Sequence, residues 1–445
     1  MNQEFETRGT KTTTKPEWLV DDKVDERVFG EYFRDMSYLR CVNGVFYDQG
    51  EHPVSDELMR HEIHKELSRV YSTGLARKTD ALLQSMKIQF YHEAPEHSYR
   101  QIHLANGTYD VFSQTFSEEK DFSLNRLPVA YDPKATDVSD RKWFNYLIYS
   151  LLDEEDVLTL QEYLGYCLLP STKAQKMLLI IGKGGEGKSV LGRVIQLLFG
   201  NQMYAGSLQK IATDRFARAD LEHKLIMVDD DMRLDALPQT NYLKTLVTLE
   251  GTTDLERKGQ QSYQGRLFAR FLCFSNGTLS ALYDRSHGFY RRQIILTTLD
   301  REPDRVDNPY LAELIMDELP AIFNWCLEGL FRLLDNDYRF TISERARKNL
   351  EEAMREANNI PGFLESEGYI HYTPKGCAST AELCRLYRSY CEDNSLHPQS
   401  DRSLQHYLKN HQKELGIDFT FHLPTIKHKS VRGYVGIQPD GAILH

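Results

Sequence analysis

Hydrophobic residues in this chain follow two patterns: short continuous runs, and longer stretches in which apolar positions recur every three or four residues. The run at residues 177–181 contains five consecutive apolar residues, which predicts a strand buried on both faces. Apolar positions from 190 to 199 follow helical spacing, and Gly200 ends that helix. Further runs at 225–228 and 271–274 predict two more buried strands. The chain is therefore predicted to be an α/β protein.

The segment between the first strand and its helix is rich in glycine. Residues 182–189 read Gly-Lys-Gly-Gly-Glu-Gly-Lys-Ser and fit the phosphate-loop pattern G-x-x-x-x-G-K-[ST] without a mismatch. Glycines let backbone N–H groups turn towards phosphate oxygens, and a helix N-terminus adds partial positive charge. Lys188 is predicted to contact the β and γ phosphates and Ser189 to ligate Mg²⁺. The alternative is a turn that binds nothing, which the flanking strand and helix disfavour. The predicted nucleotide-binding residues are Gly182, Gly184, Gly185, Gly187, Lys188 and Ser189.

Three aspartates follow the buried run at 225–228. Ligands of nucleotide-binding sheets gather at the carboxyl ends of the strands, so an acidic end can hold Mg²⁺ and orient water. We expect Asp229 to assist the metal and Asp230 to polarise the attacking water, although Asp231 could be one of the pair. The alternative is that these aspartates only cap the next helix.

Two further polar signals lie downstream. The strand at 271–276 ends in Asn276, whose amide can reach a γ-phosphate or the attacking water. Arg291 and Arg292 precede another apolar run. An arginine supplied by a neighbouring subunit stabilises the transferring phosphoryl group at many such sites, whereas surface charge is the alternative interpretation.

Composition describes a globular chain of 445 residues, 41% hydrophobic and 27% charged, long enough for two to four domains. We find no apolar stretch approaching the roughly 20 residues that cross a bilayer and no signal-peptide pattern, so we expect a cytoplasmic protein without a membrane partner, in a bacterial or other host cell. The net charge of −11 argues against a surface coated in basic residues, but a channel or small domain can still concentrate positive charge. The seven cysteines form no C-x-x-C pair and are predicted to be buried thiols.

The N-terminal part is predicted to be a flexible segment, 1–20, followed by a mixed α+β domain, 21–149. Two Asn-Gly pairs, at 43–44 and 106–107, predict hairpins in this domain. Its predicted helices span residues 24–33 and 55–71, with Ser55 as N-cap of the second, and a helix at 153–169 leads into the first buried strand.

The C-terminal part is predicted to contain a helical linker, 336–361, and a winged-helix-like domain, 362–445. Thr380 is expected to cap a helix that ends at Cys391, and Ser400 a second one; a basic β segment follows them. Residues 401–445 contain six Lys or Arg residues and four Asp or Glu residues. This local positive excess favours duplex DNA as a ligand. A domain that contacts only protein is the alternative. The predicted DNA-binding residues of this segment are Lys427, Lys429 and Arg432.

The order of glycine loop, acidic strand, Ser-Asn strand and twin arginines resembles the ATPase core of superfamily 3 helicases. More narrowly, it resembles the phage and plasmid primase-helicase family that includes the poxvirus helicase-primase. The segments NGTYDVF, PVAYDP and LQEYLGYCL are similar to that family's helicase-associated region. LKTLVTLEGTTDLERKGQQSY and ELPAIFNWCLEGLFRLL are similar to segments within and after its core. The resemblance covers roughly residues 100–440.

This resemblance implies a P-loop AAA+-like core at 150–335 that hydrolyses ATP as a homo-hexameric ring around a single DNA strand. It favours Arg292 over Arg291 as the arginine acting between subunits. It also implies a hairpin that carries Lys258, with Arg257 beside it, towards DNA; a solvated hairpin tip is the alternative. Since no primase site is evident, priming would require a separate protein. The implied function is a replicative DNA helicase of a phage, plasmid or other mobile element.

Two positions depart from the family pattern. Glu186 stands where the family commonly has Asn, and a carboxylate near phosphates is unfavourable unless it points away or meets a cation. The acidic strand carries only Asp where the family often has Glu. The alternatives to a helicase are an origin-specific initiator ATPase, a P-loop kinase, and a DNA-binding protein with a decayed ATP site.

Overall fold

The structure is a computed structural model that describes residues 15–232, 241–259, 261–276, 287–357, 359–394, 396, 398–423 and 431–440. The chain divides into two compact units, Met1–Arg126 and Leu127–His445.

The first unit combines helices with short antiparallel strands, and buried residues between Trp18 and Phe90 form a hydrophobic core. Both predicted hairpins exist. Asn43 and Gly44 form the first turn with φ values of 50° and 78°, as a type I′ turn requires. The second turn lies one residue earlier than predicted, at Ala105 and Asn106, because Gly107 pairs with Leu104. Ser55 caps its helix by accepting the Leu58 N–H, as predicted. The elements are β1 (Leu19–Val20), β2 (Lys23–Val24), α1 (Glu26–Ser37), β3 (Arg40–Val42), β4 (Val45–Tyr47), β5 (Pro53–Val54), α2 (Asp56–Leu67), α3 (Leu75–Gln89), β6 (Gln101–Leu104), β7 (Gly107–Asp110) and β8 (Thr115–Ser117).

The second unit contains the strands that the continuous apolar runs predict. Its strands are β9 (Met177–Gly182), β10 (Met203–Ala205), β11 (Ile226–Asp229), β12 (Thr252–Leu255), β13 (Tyr263–Arg266), β14 (Arg270–Asn276), β15 (Gln293–Thr297), β16 (Ile370–Ser379), β17 (Asp418–Thr420) and β18 (Gly433–Pro439). Its helices are α4 (Lys142–Leu151), α5 (Glu154–Tyr166), α6 (Lys188–Phe199), α7 (Leu208–Thr213), α8 (Arg215–Ala219), α9 (Asn241–Val247), α10 (His287–Tyr290), α11 (Leu311–Met316), α12 (Leu319–Asp335), α13 (Glu344–Ala357), α14 (Ile360–Glu365), α15 (Thr380–Asp393), α16 (Asp401–Asn410) and α17 (Gln412–Leu415). Short 3₁₀ turns occur at Val138–Arg141 and Gly200–Gln202.

Five of these strands form a parallel sheet in the order β10-β11-β14-β9-β15, which confirms the α/β class. The central strand β9 is buried along its whole length, as its continuous apolar run predicts. Because every strand runs the same way, all five carboxyl ends meet at one edge. The loop that follows β9 begins at that edge.

The two faces of the sheet are covered by different helices. Leu179, Met227 and Cys273 lie on one face and share a hydrophobic core with residues of α7, α9 and α13. On the other face, a methyl group added at Gly192 of α6 would lie 3.4 Å from the Phe274 ring. Since side chains alternate along a strand, neighbouring residues of β11 face opposite helices.

The C-terminal part of this unit packs α15 and α16 against an antiparallel sheet in the order β16-β18-β17. Ser400 caps α16 as predicted. The cap of α15 is Ser379, one residue before the predicted Thr380, because Ser379 and Glu382 form a reciprocal capping box.

The stretch 307–334 is predicted from its sequence to be one helix, and this prediction is wrong, because the structure has two helices there, α11 and α12. Pro320 lies in the first turn of α12 and has no N–H to continue a preceding helix. All seven cysteines are free thiols; six are buried as predicted, and Cys377 is half-buried. Within the described residues, every helix is too short or too polar to cross a membrane.

Candidate functional site

The predicted phosphate loop occupies the turn between β9 and α6. Three of its glycines, Gly184, Gly185 and Gly187, have φ values of 110°, 85° and 120°. Side chains other than hydrogen rarely adopt this left-handed region, so the loop requires glycine at these positions. The loop leads directly into the N-terminus of α6, where the first backbone N–H groups have no partner within the helix.

Glycine is required at position 182 for a different reason, because there is little room for a side chain. A methyl group at this position would lie 2.5 Å from Thr298 Oγ1, 2.7 Å from Lys188 Nζ and 2.9 Å from Glu186 Oε1. The end of β9 is therefore packed directly beneath the side chains that the loop brings together.

Glu186 pairs with a cation. A carboxylate in a phosphate loop is unfavourable unless it points away or has such a partner. Its Oε2 accepts a hydrogen bond from Lys188 Nζ at 2.8 Å, and its Oε1 accepts the backbone N–H groups of Lys183 and Gly184. The Lys188 and Glu186 side chains are only 7% and 3% exposed. Burial favours the protonated form, but the Lys188 ammonium and the loop N–H groups outweigh it and lower the pKa of Glu186.

A cleft of about 390 Å³ opens beside this loop, within the range of ligand sites in proteins. It brings together residues predicted from three separate parts of the sequence. Its polar lining includes Lys188, Ser189, Asp230, Asn276, Arg305 and Asp307. Its apolar wall includes Leu147, Val306, Leu311 and Ala312.

The acidic strand presents Asp230, and not Asp229, to this cleft. Asp229 continues the face of Met227, is 6% exposed, and its Oδ2 accepts the Leu208 N–H at 2.7 Å. Burial raises the pKa of Asp229. Asp230 lies on the α6 side, where its Oδ1 would be 3.4 Å from a methyl group at Gly192. Asp229 therefore anchors the start of α7, and the carboxylate beside the phosphate loop belongs to Asp230.

Asn276 lies at the loop, as predicted. It is the last residue of β14 and pairs in register with Gly182, the last residue of β9. Its Oδ1 would be 4.0 Å from a methyl group at Gly184. The side chain of Asn276 can therefore reach a group bound by the loop.

Arg291 and Arg292 are not brought to this loop within one chain. The Met177 N–H donates to the Arg292 carbonyl at 2.8 Å, which fixes both arginines at the amino end of the sheet. The loop begins at the other end of β9, about 17 Å away at ~3.3 Å per residue from Met177 to Gly182. Burial, together with the neighbouring Arg291, lowers the pKa of Arg292.

The predicted DNA-binding hairpin exists as β12 and β13. Arg257 is held by its neighbours, because its guanidinium donates to Glu222 Oε2 at 2.9 Å and to Tyr263 Oη at 3.0 Å. Lys258 is exposed at the turn, and Gly259 has φ 78°. Lys258 is thus an exposed cation at the turn of the hairpin.

Of the three predicted DNA-binding residues in the C-terminal segment, one, Arg432, lies within the described residues. Lys427 and Lys429 lie outside the described residues. Arg432 is exposed, its guanidinium lies 5.6 Å from the centre of the Phe421 ring, and its carbonyl accepts the Thr380 N–H.

Two arginines that no sequence motif indicates lie next to the loop. Arg305 Nη1 donates to the Glu186 carbonyl at 2.7 Å, and Arg301 Nη1 would be 3.3 Å from a methyl group at Gly185. Asp307 pairs with both arginines at 3.0 and 3.2 Å. Their only sequence signal was a charged stretch after β15, which does not reveal a contact 119 residues back along the chain.

The residues of the cleft suit a metal ion that is held partly by protein oxygens and partly by phosphate oxygens of a ligand. Among the described residues, no group of three or more His, Cys, Asp or Glu side chains is placed to hold a metal ion. Mg²⁺ is commonly held by one or two protein oxygens together with phosphate oxygens and water, which a hydroxyl at Ser189 and a carboxylate at Asp230 satisfy.

Fold and site together define an α/β protein with a glycine loop between the central strand of a parallel sheet and its helix. Residues 180–292 match a family of unknown function, DUF5906. No curated protein matches the chain. The apo C-terminal region of NrS-1, residues 305–718, has a TM-score of 0.51 and 11% identity, covering 93% of this chain and 100% of that one. A second apo form of that region has a TM-score of 0.50 at 11% identity, covering 92% and 98%. At this identity, the likeness is one of fold.

Proposed function

We propose that this protein is an ATP-dependent DNA helicase that works as a homo-hexamer on single-stranded DNA in the replication of a phage, plasmid or other mobile element. The observation that carries the proposal is the cleft shared by Lys188, Ser189, Asp230 and Asn276 at the carboxyl edge of the sheet. In this proposal the parallel sheet is a P-loop AAA+-like core, and the C-terminal helices and antiparallel sheet are a winged-helix domain.

The proposed chemistry is hydrolysis of the β–γ bond of ATP. Lys188 holds the β and γ phosphates, and Asn276 contacts the γ-phosphate. Ser189 and Asp230 hold Mg²⁺, which supplies positive charge to the phosphate oxygens. Asp230 takes this role from Asp229, because the Asp229 carboxylate is buried on the other face of the sheet against the Leu208 N–H.

The proposed arginine comes from a neighbouring subunit. Arg292 lies about 17 Å from the loop of its own chain at ~3.3 Å per strand residue, so it can meet a phosphate only across a subunit boundary. This separation supports a ring in which each ATP lies between two chains.

The proposed DNA contact is the turn between β12 and β13. Lys258 is exposed there and suits a phosphate of single-stranded DNA, whereas Arg257 supports the hairpin through Glu222. Duplex DNA is the proposed ligand of the C-terminal segment that contains Lys427, Lys429 and Arg432. A separate primase is the proposed partner.

The test combines ATP turnover, with and without single-stranded DNA, and unwinding of a forked duplex. We expect turnover that DNA stimulates, unwinding by the wild-type chain, and loss of both in Lys188→Ala. The matched control is Lys210→Ala, an exposed lysine of α7, which should behave as wild type. ATP turnover without DNA stimulation or unwinding would refute the helicase. If only origin DNA stimulated ATP turnover, the function would be that of an origin-specific initiator and not of a helicase.

A further inference from the structure

The phosphate loop already holds an anion, and that anion belongs to the loop. The Glu186 carboxylate accepts two backbone N–H groups of the loop and the Lys188 ammonium. These are the kinds of donor that a phosphate loop offers to phosphate oxygens. The residue is 2% exposed, so this arrangement is built into the site and is not a loose surface contact.

We propose that Glu186 is an internal competitor of the nucleotide's phosphates and thereby determines the affinity of this site for ATP. The inference rests on the proposed function, since it assumes that the loop binds a nucleoside triphosphate. Lys188 cannot keep its 2.8 Å contact with Glu186 and also serve the β and γ phosphates fully. Phosphate binding therefore requires the carboxylate to give up this lysine.

Charge repulsion also predicts that Glu186 lowers the affinity for ATP. A triphosphate brings several negative charges to within a few ångströms of a buried carboxylate, and charges of like sign repel strongly where water is excluded. Neutralising Glu186 removes both the competition for Lys188 and this repulsion. ATP should gain more than ADP, because ATP carries the additional phosphate that Lys188 contacts.

The displaced carboxylate has cations within its neighbourhood. Arg305 donates to the Glu186 carbonyl at 2.7 Å, and the Arg301 guanidinium lies next to Gly185 while remaining 41% exposed. A rotation of the Glu186 side chain towards this segment would exchange one positive partner for another. Arg301 and Arg305 are therefore the cations that would contact the Glu186 carboxylate after it leaves Lys188.

A purely structural role for Glu186 makes a different prediction. Capping the Lys183 and Gly184 N–H groups requires an oxygen acceptor, which an amide of the same length also provides. Glu186→Gln keeps that acceptor and removes the charge. If the residue only caps the loop, Glu186→Gln should leave ATP affinity unchanged or weaken it.

The experiment measures dissociation constants of MgATP and MgADP for the full chain by competition with a fluorescent ATP analogue. We expect Glu186→Gln to bind MgATP about tenfold more tightly, equivalent to about 1.4 kcal/mol, with a smaller gain for MgADP. Glu302→Gln is the matched control: it removes the same charge from an exposed residue nearby and should bind as wild type. Glu186→Asn serves as a second neutral variant, and thermal unfolding verifies that each variant is folded.

Unchanged or weaker MgATP binding by folded Glu186→Gln and Glu186→Asn would overturn the inference while leaving the nucleotide site intact. If neither the wild-type chain nor any variant binds MgATP, the proposed function fails, and this inference with it. Equal gains for MgATP and MgADP would also reject it, because competition for the terminal phosphates would not be the cause. Binding by Glu186→Gln but not by wild type would be its strongest support.

Discussion

The assignment of Asp230 in place of Asp229 to the cleft can be tested by one pair of substitutions. Asp230→Asn and Asp229→Asn make the same chemical change at adjacent positions of the chain. Asp230 is exposed and lines the cleft beside the phosphate loop, whereas Asp229 is 6% exposed and faces α7. The two variants therefore separate a role beside phosphate from a role in the fold.

The expected magnitudes follow from these surroundings. Replacing a carboxylate that serves metal or water beside the reacting phosphate should lower ATP turnover by about 100-fold or more. In Asp229→Asn, the amide oxygen can still accept the Leu208 N–H, now found at 2.7 Å, so the fold should lose no more than about 1 kcal/mol. Because burial already raises the pKa of Asp229, its charge is costly to the folded state and its removal is tolerated. Turnover by Asp229→Asn should stay within about threefold of wild type.

The assay is Mg²⁺-dependent phosphate release at saturating ATP, with thermal unfolding of both variants as the control for folding. Loss of turnover in Asp229→Asn together with full turnover in Asp230→Asn would refute the assignment. Equal, severe losses in two folded variants would mean that both carboxylates serve the reaction.

Three further predictions concern the subunit boundary, the loop and the first unit. Mixing Arg292→Ala with Lys188→Ala should restore part of the ATP turnover that each lacks alone, because one mixed boundary would combine an intact loop with an intact arginine. Gly182→Ala should weaken ATP binding at least about tenfold, because its methyl group would lie 2.5–2.9 Å from three side-chain atoms of the site. Burial, and secondarily the charge of Arg126, lowers the pKa of His103 from 6.5 to about 4. The unfolded chain therefore binds the extra proton first, and stability should fall as the pH drops from about 6.5 towards 4, by up to about 3 kcal/mol. Thermal unfolding against pH measures this loss, which His103→Gln should reduce.

Each of these has a clear contrary result. For the mixture, recovery should be absent at every ratio, although rings still form, if the arginine acts within its own chain. Wild-type ATP affinity in Gly182→Ala would mean that the loop adjusts freely. An identical pH profile for His103→Gln would assign the acid sensitivity to other groups.

The sequence predicted the elements whose signals are local. Continuous apolar runs predicted β9, β11 and β14, and the Asn-Gly pairs predicted two hairpins. Helix α3 begins after Gly74 without a side-chain cap, so its N-terminus carries no polar signal that predicts it. The sequence does not predict strand β16 either, since it contains Pro374 and Gly376 and its pairing shifts register between Tyr372 and Cys377.

For the site, residue types were predictable and side-chain directions were not. Three consecutive aspartates carry the same charge, so only the path of the chain at the end of β11 decides that Asp230 lies on the α6 side. The contact between Glu186 and Lys188 depends on the folded path of the loop, although the two residues are neighbours in sequence. Arg305 reaches the loop from 119 residues away, a distance over which no spacing rule applies.

The separation of Arg292 from its own phosphate loop has a consequence for how the protein would be measured. If each ATP needs residues from two chains, an isolated subunit is an incomplete enzyme whatever its fold stability. Turnover per subunit would then rise with protein concentration until assembly is complete, and would fall on dilution without any unfolding. Activity would thus report on assembly as directly as on chemistry.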